Sequence, residues 1–192
     1  DKPGVDVALI MRSSAVIEDL IASQQYDIGF AETPARRPSI HQTDFDLECV
    51  CVVPKSDPLA RAAEITPDDL DGKPMAILFE EHTTAVQTEA AFVQAGRRFN
   101  KRLELRTFLP GIHFVEAGLC YMVCDVITAY SHVAGREEAR LAIRRFAPRV
   151  GNSVSILAPG YATQARLAES FAAHLTEAIC AMQDEVAQAL AT

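Results

Sequence analysis

Three places in the chain put hydroxyls or unpaired backbone donors where a strand gives way to a helix: Ser13-Ser14, Thr83-Thr84 and Pro110-Gly111-Ile112. The first N–H groups of a helix have no intrahelical acceptor and carry a partial positive charge, so such junctions suit a carboxylate. Ser and Thr are also good N-caps, and ordinary capping accounts for any one of these places taken singly. Acids stand at strand ends as well. Glu32 follows Asp27–Ala31, Glu80-Glu81 follow Ile77-Leu78-Phe79, and Asp125 follows Cys124. They could pair with an ammonium or guanidinium group of a ligand. The plainer reading is a solvated rim or first-turn acids favoured by the helix dipole, and Asp125 could simply cap a helix beginning at Val126. His82, between Glu81 and Thr83, has the residue types of a base beside a nucleophile, but no third orienting group is near in sequence.

Other chemistry is not encoded by motif. The chain has no Gly-x-Ser-x-Gly elbow, P-loop, Gly-x-Gly-x-x-Gly or His-Glu-x-x-His. The five histidines (41, 82, 113, 132, 174) never fall at metal-ligand spacing. Cys49/Cys51 and Cys120/Cys124 share apolar runs, but neither spacing is a zinc knuckle, and buried free thiols are the expected reading. The odd total of five cysteines argues against a disulfide scaffold and for a reduced, cytoplasmic protein. The single dense basic run, Arg97-Arg98-Phe99-Asn100-Lys101-Arg102, reads as a solvated helix end. Neither a metal, a cofactor nor a catalytic residue is called for, and the chain does not read as an enzyme.

These residues need an alternating scaffold to hold them. Val5–Ile10 reads as a strand and Ala15–Gln24 as a helix with apolar Val16, Ile17, Leu20 and Ile21; Tyr26–Phe30 reads as a strand parallel to the first. Leu47–Pro54 is a β-branched run. Pro67-Asp68-Asp69-Leu70 suits one helical turn, with proline at a first helical position. Pro74–Phe79 predicts a strand, the helix after it ends near Ala95 at Gly96, and Leu103–Phe108 returns as a strand. Pro110–Ala117 predicts a short helix, Leu119–Cys124 a buried strand and Val126–Val133 a helix. Strands at Ala139–Phe146 and Asn152–Ala158 and a helix over Ala162–Ala191 complete the chain. Strand and helix alternate throughout, which means an open α/β architecture. The breaks near Pro54–Pro58 and Pro148–Gly151 are the natural crossings between two lobes.

Bulk composition agrees. A chain of 192 residues with 49% hydrophobic and 23% charged residues supports a real core and is not disordered. A formal net charge of −8 repels phosphate backbones, so these residues alone should not grip nucleic acid. No run reaches the roughly 18 apolar residues of a membrane span.

In order and spacing, four segments resemble the effector-binding domain of LysR-type transcriptional regulators. They are Ala22–Phe30 with its Asp27-Ile28-Gly29-Phe30, Cys51–Ala60 with Pro54 and Pro58-Leu59-Ala60, Ile65–Pro74 with Leu70-Asp71-Gly72, and Phe114–Val123 with Gly118. Cys120 stands where a second glycine is common in that family. The resemblance covers essentially the whole chain. It implies two Rossmann-like α/β lobes of the periplasmic-binding-protein type joined by two crossover strands, lobe I being 1–55 with 152–192 and lobe II 56–151. It further implies a small-molecule inducer in the cleft between lobes, at Ser13, Ser14, His82, Thr83, Thr84, Pro110, Gly111 and Ile112, with Asp125 at the edge; Glu32 joins the candidates from its place at a strand end, not from the resemblance. The family places a winged helix-turn-helix, a linker helix and a first strand and helix ahead of Pro3-Gly4-Val5. An N-terminally truncated domain is therefore expected, with DNA bound only through the missing part, no membrane contact, and a homodimer or homotetramer at full length. Hydroxyls and N–H groups for a carboxylate, with acids for a cation, suggest an amino-acid-like or opine-like inducer. The rival reading is a periplasmic-type solute-binding protein for a small amino-acid-like ligand.

Overall fold

The computed structural model describes residues 6–133, 140–161 and 166–190. The chain divides into two compact units, one formed by residues up to Phe45 with Val154–Thr176 and the other by Asp46–Ser153 with the residues from Glu177. The sequence reading divides the chain at 55/56 and 151/152. In the structure the chain passes between units within strands and within a helix, because the long strand β2 (Ile40–Pro54) begins well before its β-branched run and is unbroken by proline.

In the first unit, α1 (Ser14–Ala22) lies against β1 (Gly29–Glu32). A Cβ at Gly29 would stand 2.6 Å from Ile17 Cγ2, so the helix approaches the strand as only glycine allows. Gln24 ends the helix with φ of 59°, and the N–H groups of Gln24 and Gln25 return to the carbonyls of Ile21 and Leu20. Ile21, Ala31, Ile40 and Leu157 form the core, with Ile17, Ala22 and Tyr26 packed on it. Strand β1 pairs antiparallel with β8 (Gly151–Pro159), Gly29 opposite Leu157 and Glu32 opposite Val154. This corrects the expected parallel strand–helix–strand unit. Asp6–Ile10 form no strand, and Val7, Leu9 and Met11 are 83%, 89% and 75% exposed. A run with β-propensity gains no ladder hydrogen bonds unless another strand lies beside it, and none of the described residues supplies one.

The second unit is built on the remainder of β2, which pairs antiparallel with β6 (Tyr121–Asp125) and with β7 (Leu141–Phe146). Beyond β6 lie β4 (Pro74–Leu78), parallel to it, and β5 (Asn100–Leu105), parallel to β4. The two-residue β3 (Glu64–Ile65) runs parallel to β7. Helices α2 (Thr83–Gln94), α3 (Phe108–Glu116) and α4 (Val126–Val133) join these strands, and α5 (Arg166–Ala189) closes the chain. Val50, Cys51, Val52 and Val53 are wholly buried. Ile65, Leu70, Met75, Phe92, Phe146 and Val150 cluster with Cys51 and Val53. Phe92 meets Phe99 edge to face at 4.9 Å between ring centres.

Local signals decide several boundaries. Gly96 and Gly118 take φ of 64° and 70° after α2 and α3, and Arg97 N–H bonds back to Phe92 O at 2.9 Å. The basic run is only partly a helix end. Arg97 pairs with Asp68 at 2.7 Å, while Asn100–Arg102 open β5. Residues 67–72 form successive turns rather than the expected helical turn, Asp69 N–H and Asp71 N–H each reaching back three residues. α3 starts at Phe108 and β5 ends at Leu105, so Phe108 belongs to the helix and not the strand. Of the helix expected over 162–191, residues 162–165 and 191 lie outside the described residues.

Asp57 anchors the chain where it leaves β2. It accepts from Leu59 N–H at 2.8 Å, capping the short 3-10 turn Pro58–Arg61, and from Tyr121 Oη at 2.5 Å. Burial works against its carboxylate, but the hydrogen bonds from Tyr121 and Leu59 prevail and hold the pKa below the usual value. A depressed pKa means stability that is present above the unfolded-state value and lost as pH falls through the folded one. Asp57→Asn should therefore flatten the acid limb of a stability-versus-pH curve below about pH 4, measured by urea unfolding. Phe92→Ala should cost about 3–5 kcal/mol, read from the urea midpoint.

Candidate functional site

Of the residues singled out from sequence, Ser13, Ser14 and Glu32 fall in the first unit and the others in the second. In the first unit, Ser13 is the extended residue before α1, with φ −66° and ψ 154°, and its side chain makes no capping bond. Ser14 Oγ instead accepts from Glu32 N–H at 3.2 Å, which ties the start of α1 to the end of β1 across 18 residues of sequence. No acid occupies the first turn of α1, so its free N–H groups and partial positive charge are not neutralised from within the helix. Just beyond Glu32, the buried Ser155 hydroxyl lies 2.8 Å from both Thr33 Oγ1 and Asp44 Oδ1. With one proton, it donates to the carboxylate and accepts from Thr33. That bond, against the cost of burial, helps to lower the Asp44 pKa.

In the second unit, His82 precedes α2 in an extended conformation without capping it, and its carbonyl accepts from Ala85 N–H and Val86 N–H at 3.0 and 3.3 Å. The N–H groups of Thr83 and Thr84 are thus the helix's unbonded donors. Thr83 is exposed, whereas Thr84 is only 5% exposed, and its Oγ1 is buried with no hydrogen-bond partner. A buried hydroxyl without a partner is costly and calls for an explanation.

The third junction lies elsewhere than the sequence suggests. Pro110, Gly111 and Ile112 sit inside α3, whose N-cap is Thr107, again with no side-chain capping bond. Ile112 is fully buried, and a Cβ on Gly111 would stand 2.5 Å from Met122 Sδ and 2.8 Å from Leu105 Cδ1. These two residues pack α3 onto the sheet, and Pro110 lacks an N–H. The donors of this helix end are the Thr107 hydroxyl and the Phe108 and Leu109 N–H groups. Thr107 was passed over, although a threonine before an apolar helical run is a capping signal. Asp125 caps α4, accepting from Thr128 N–H at 2.8 Å. Burial raises its pKa in spite of that bond.

The remaining groups suit binding better than covalent chemistry. Burial pushes the Cys49, Cys51 and Cys124 thiols far above the usual range and Cys120 up to about 11, so these sulfurs stay protonated and unreactive at neutral pH. Among the described residues no group of three or more His, Cys, Asp or Glu side chains is placed to hold a metal ion, and no helix is long and apolar enough to cross a membrane.

Two α/β units sharing long strands, with helix N-termini that carry uncapped donors and hydroxyls, define a small-molecule-binding domain of the periplasmic-binding-protein type. Residues 1–179 match the LysR substrate binding domain, and the chain belongs to that family. It is 26% identical over 174 residues to the transcriptional activator protein LysR of Escherichia coli (strain K12), covering 90% of this chain and 55% of that protein. It is also 26% identical over 186 residues to the regulatory protein NocR of Agrobacterium tumefaciens (strain T37), covering 96% of this chain and 61% of that protein. The chain therefore spans less than two thirds of either relative. Its fold is shared with the regulatory domain of Synechocystis PCC6803 CcmR in complex with 2-PG, at a TM-score of 0.70 and 16% identity over 92% of this chain and 84% of that one. The effector binding domain of QuiR in complex with shikimate has a TM-score of 0.61 and 12% identity, over 83% of this chain and 75% of that one.

The unpartnered hydroxyl generates a test. Thr84→Val keeps the shape and removes the group, so the unliganded protein should be unchanged or slightly more stable in urea unfolding. A loss above about 1 kcal/mol would mean that the hydroxyl has a partner within the protein.

Proposed function

We infer that the chain is the effector-sensing part of a LysR-type transcriptional regulator, and that its effector is a small carboxylate-bearing molecule of amino-acid-like or opine-like chemistry. The observation that carries this reading is Thr84: a side chain more than nine-tenths buried at the start of α2, its hydroxyl unpaired beside the free N–H groups of Thr83 and Thr84. A carboxylate would satisfy these donors without bringing a proton-transfer group into the site. Glu80 and Glu81, which precede the same helix in the second unit, would supply the opposite charge for an ammonium or guanidinium on that ligand. The names of the relatives support the regulatory role, and the descriptions of CcmR and QuiR support a small organic effector.

A ligand can shift a regulator's equilibrium only by binding its two states unequally. The effector would thus act by favouring one arrangement of this domain, which a winged helix-turn-helix elsewhere in a cytoplasmic, homodimeric or homotetrameric protein would read. Thermal unfolding against amino acids, opines, dicarboxylates and aromatic acids tests the chemistry. An effector at 100 times its Kd should add about 2.7 kcal/mol of stability. The expected result is a rise with amino-acid-like or opine-like compounds that Thr84→Val abolishes and the double variant Glu80→Gln/Glu81→Gln weakens. A response confined to ligands without a cationic group, or one that Thr84→Val leaves intact, would refute this assignment.

A further inference from the structure

The first unit holds a cavity of about 500 Å³ that touches none of the residues assigned to the effector above. One wall is the segment before β2 and its first residues, with Arg36, Arg37 and His41; the floor is Ile156 and Ala158 of β8 and Ala172 of α5. Its lining holds two arginines, polar Gln42 and Thr43 and apolar residues but no acid, in a chain whose formal net charge is −8. Asp44, close by in sequence, is engaged elsewhere: it holds Arg36 at 2.7 Å and accepts from Gln42 Nε2 and Ser155.

Arg37 is the unusual member of the wall. None of its five N–H donors makes a hydrogen bond within the described residues, and its nearest acids, Glu18 and Asp19, stand at 3.7 and 3.9 Å, beyond hydrogen-bond reach. Arg37 Nε and Nη2 and Gln42 Oε1 are three of the four buried, unpartnered side-chain polar atoms among the described residues, and the fourth is Thr84 Oγ1. No other buried side-chain polar atom among the described residues lacks a partner, so these groups stand out as the Thr84 hydroxyl does. A planar guanidinium with only these two distant ion pairs keeps its hydrogen-bond donors for a carboxylate, which it matches in shape and charge, and the apolar floor matches a hydrocarbon body. The volume lies in the range of small-molecule sites.

We propose that this cavity is a second binding site, for an apolar-bodied carboxylate held by Arg37 over Ile156, Ala158 and Ala172. It goes beyond the effector reading, since a ligand here would act on the first unit alone. The probe is 3-phenylpropionate, titrated into the purified chain by calorimetry, with 3-phenylpropionamide as its uncharged counterpart. Saturable binding of the acid is expected, with none of the amide. Arg37→Gln should weaken it by about tenfold or more, the scale of one lost charge-assisted hydrogen bond. Because Arg37→Gln also removes the charge facing Glu18 and Asp19, Ala172→Leu provides an independent variant, filling the floor on a helix that accepts leucine; it too should abolish binding. Equal affinity for the amide, no binding of the acid, or binding unchanged in both variants would overturn the proposal. Loss in Thr84→Val with none in Arg37→Gln would place the probe at α2 and overturn it equally, while leaving the effector reading standing.

Discussion

The fifteen-residue strand β2 sets the terms for the rest of the structure, because each stretch of it must satisfy different neighbours. Ile40 joins the first unit's core, whereas Val50–Val53 are buried completely in the second. Over Val50–Val52 the strand is paired on both edges, by β6 and by β7. A strand so enclosed cannot slip by one residue without turning Cys49, Cys51 and Val53 out of their cluster. Its register fixes where β6 ends, hence where Asp125 stands opposite Cys49 and where α4 begins. Through β6 it also fixes β4 and so the start of α2. The donors proposed for the effector are thus positioned by a strand that contributes no side chain to them.

The two places with unsatisfied buried polar atoms differ in kind. At α2 the open groups are neutral, a hydroxyl and two N–H donors, and the helix dipole supplies the charge. At Arg37 the charge is formal and the donors are five. Folding usually leaves few such groups, because each costs more than a made hydrogen bond returns. Both places therefore offer donors that the proposed ligands would satisfy.

Much of this was legible in the sequence, and what was not has particular causes. The apolar runs, the glycines after α2 and α3 and the Asp27–Phe30 and Pro58–Ala60 segments were enough for the α/β class and the family. Helix and strand ends within two or three residues of chain punctuation were read well. Ile40–Asp46 escaped as strand because its alternation carries histidine, threonine and aspartate instead of β-branched apolar residues. Val5–Ile10 was read as strand from its propensity, which cannot report whether a neighbouring strand exists. Ser14, Glu32 and Thr84 were singled out as candidates from residue type and junction, but the tie between Ser14 and Glu32 is long-range and invisible to spacing. Gly111 and Ile112 were misplaced because the start of α3 was set at proline, the first-turn favourite, when the helix begins two residues earlier at Phe108, behind Thr107 as its N-cap.

Chain connectivity also imposes an order of assembly. Every residue of the second unit's buried cluster lies between Cys49 and Val150, whereas the first unit's core joins Ile21, Ala31 and Ile40 to Leu157. During synthesis from the N-terminus, the earlier residues of the first unit must wait for a strand made more than a hundred residues later, while the intervening segment already holds a complete core. The first unit's early residues thus complete their core only after the second unit's buried cluster has been made, and Ile21, Ala31 and Ile40 are the apolar surface a chaperone would meet in the interval.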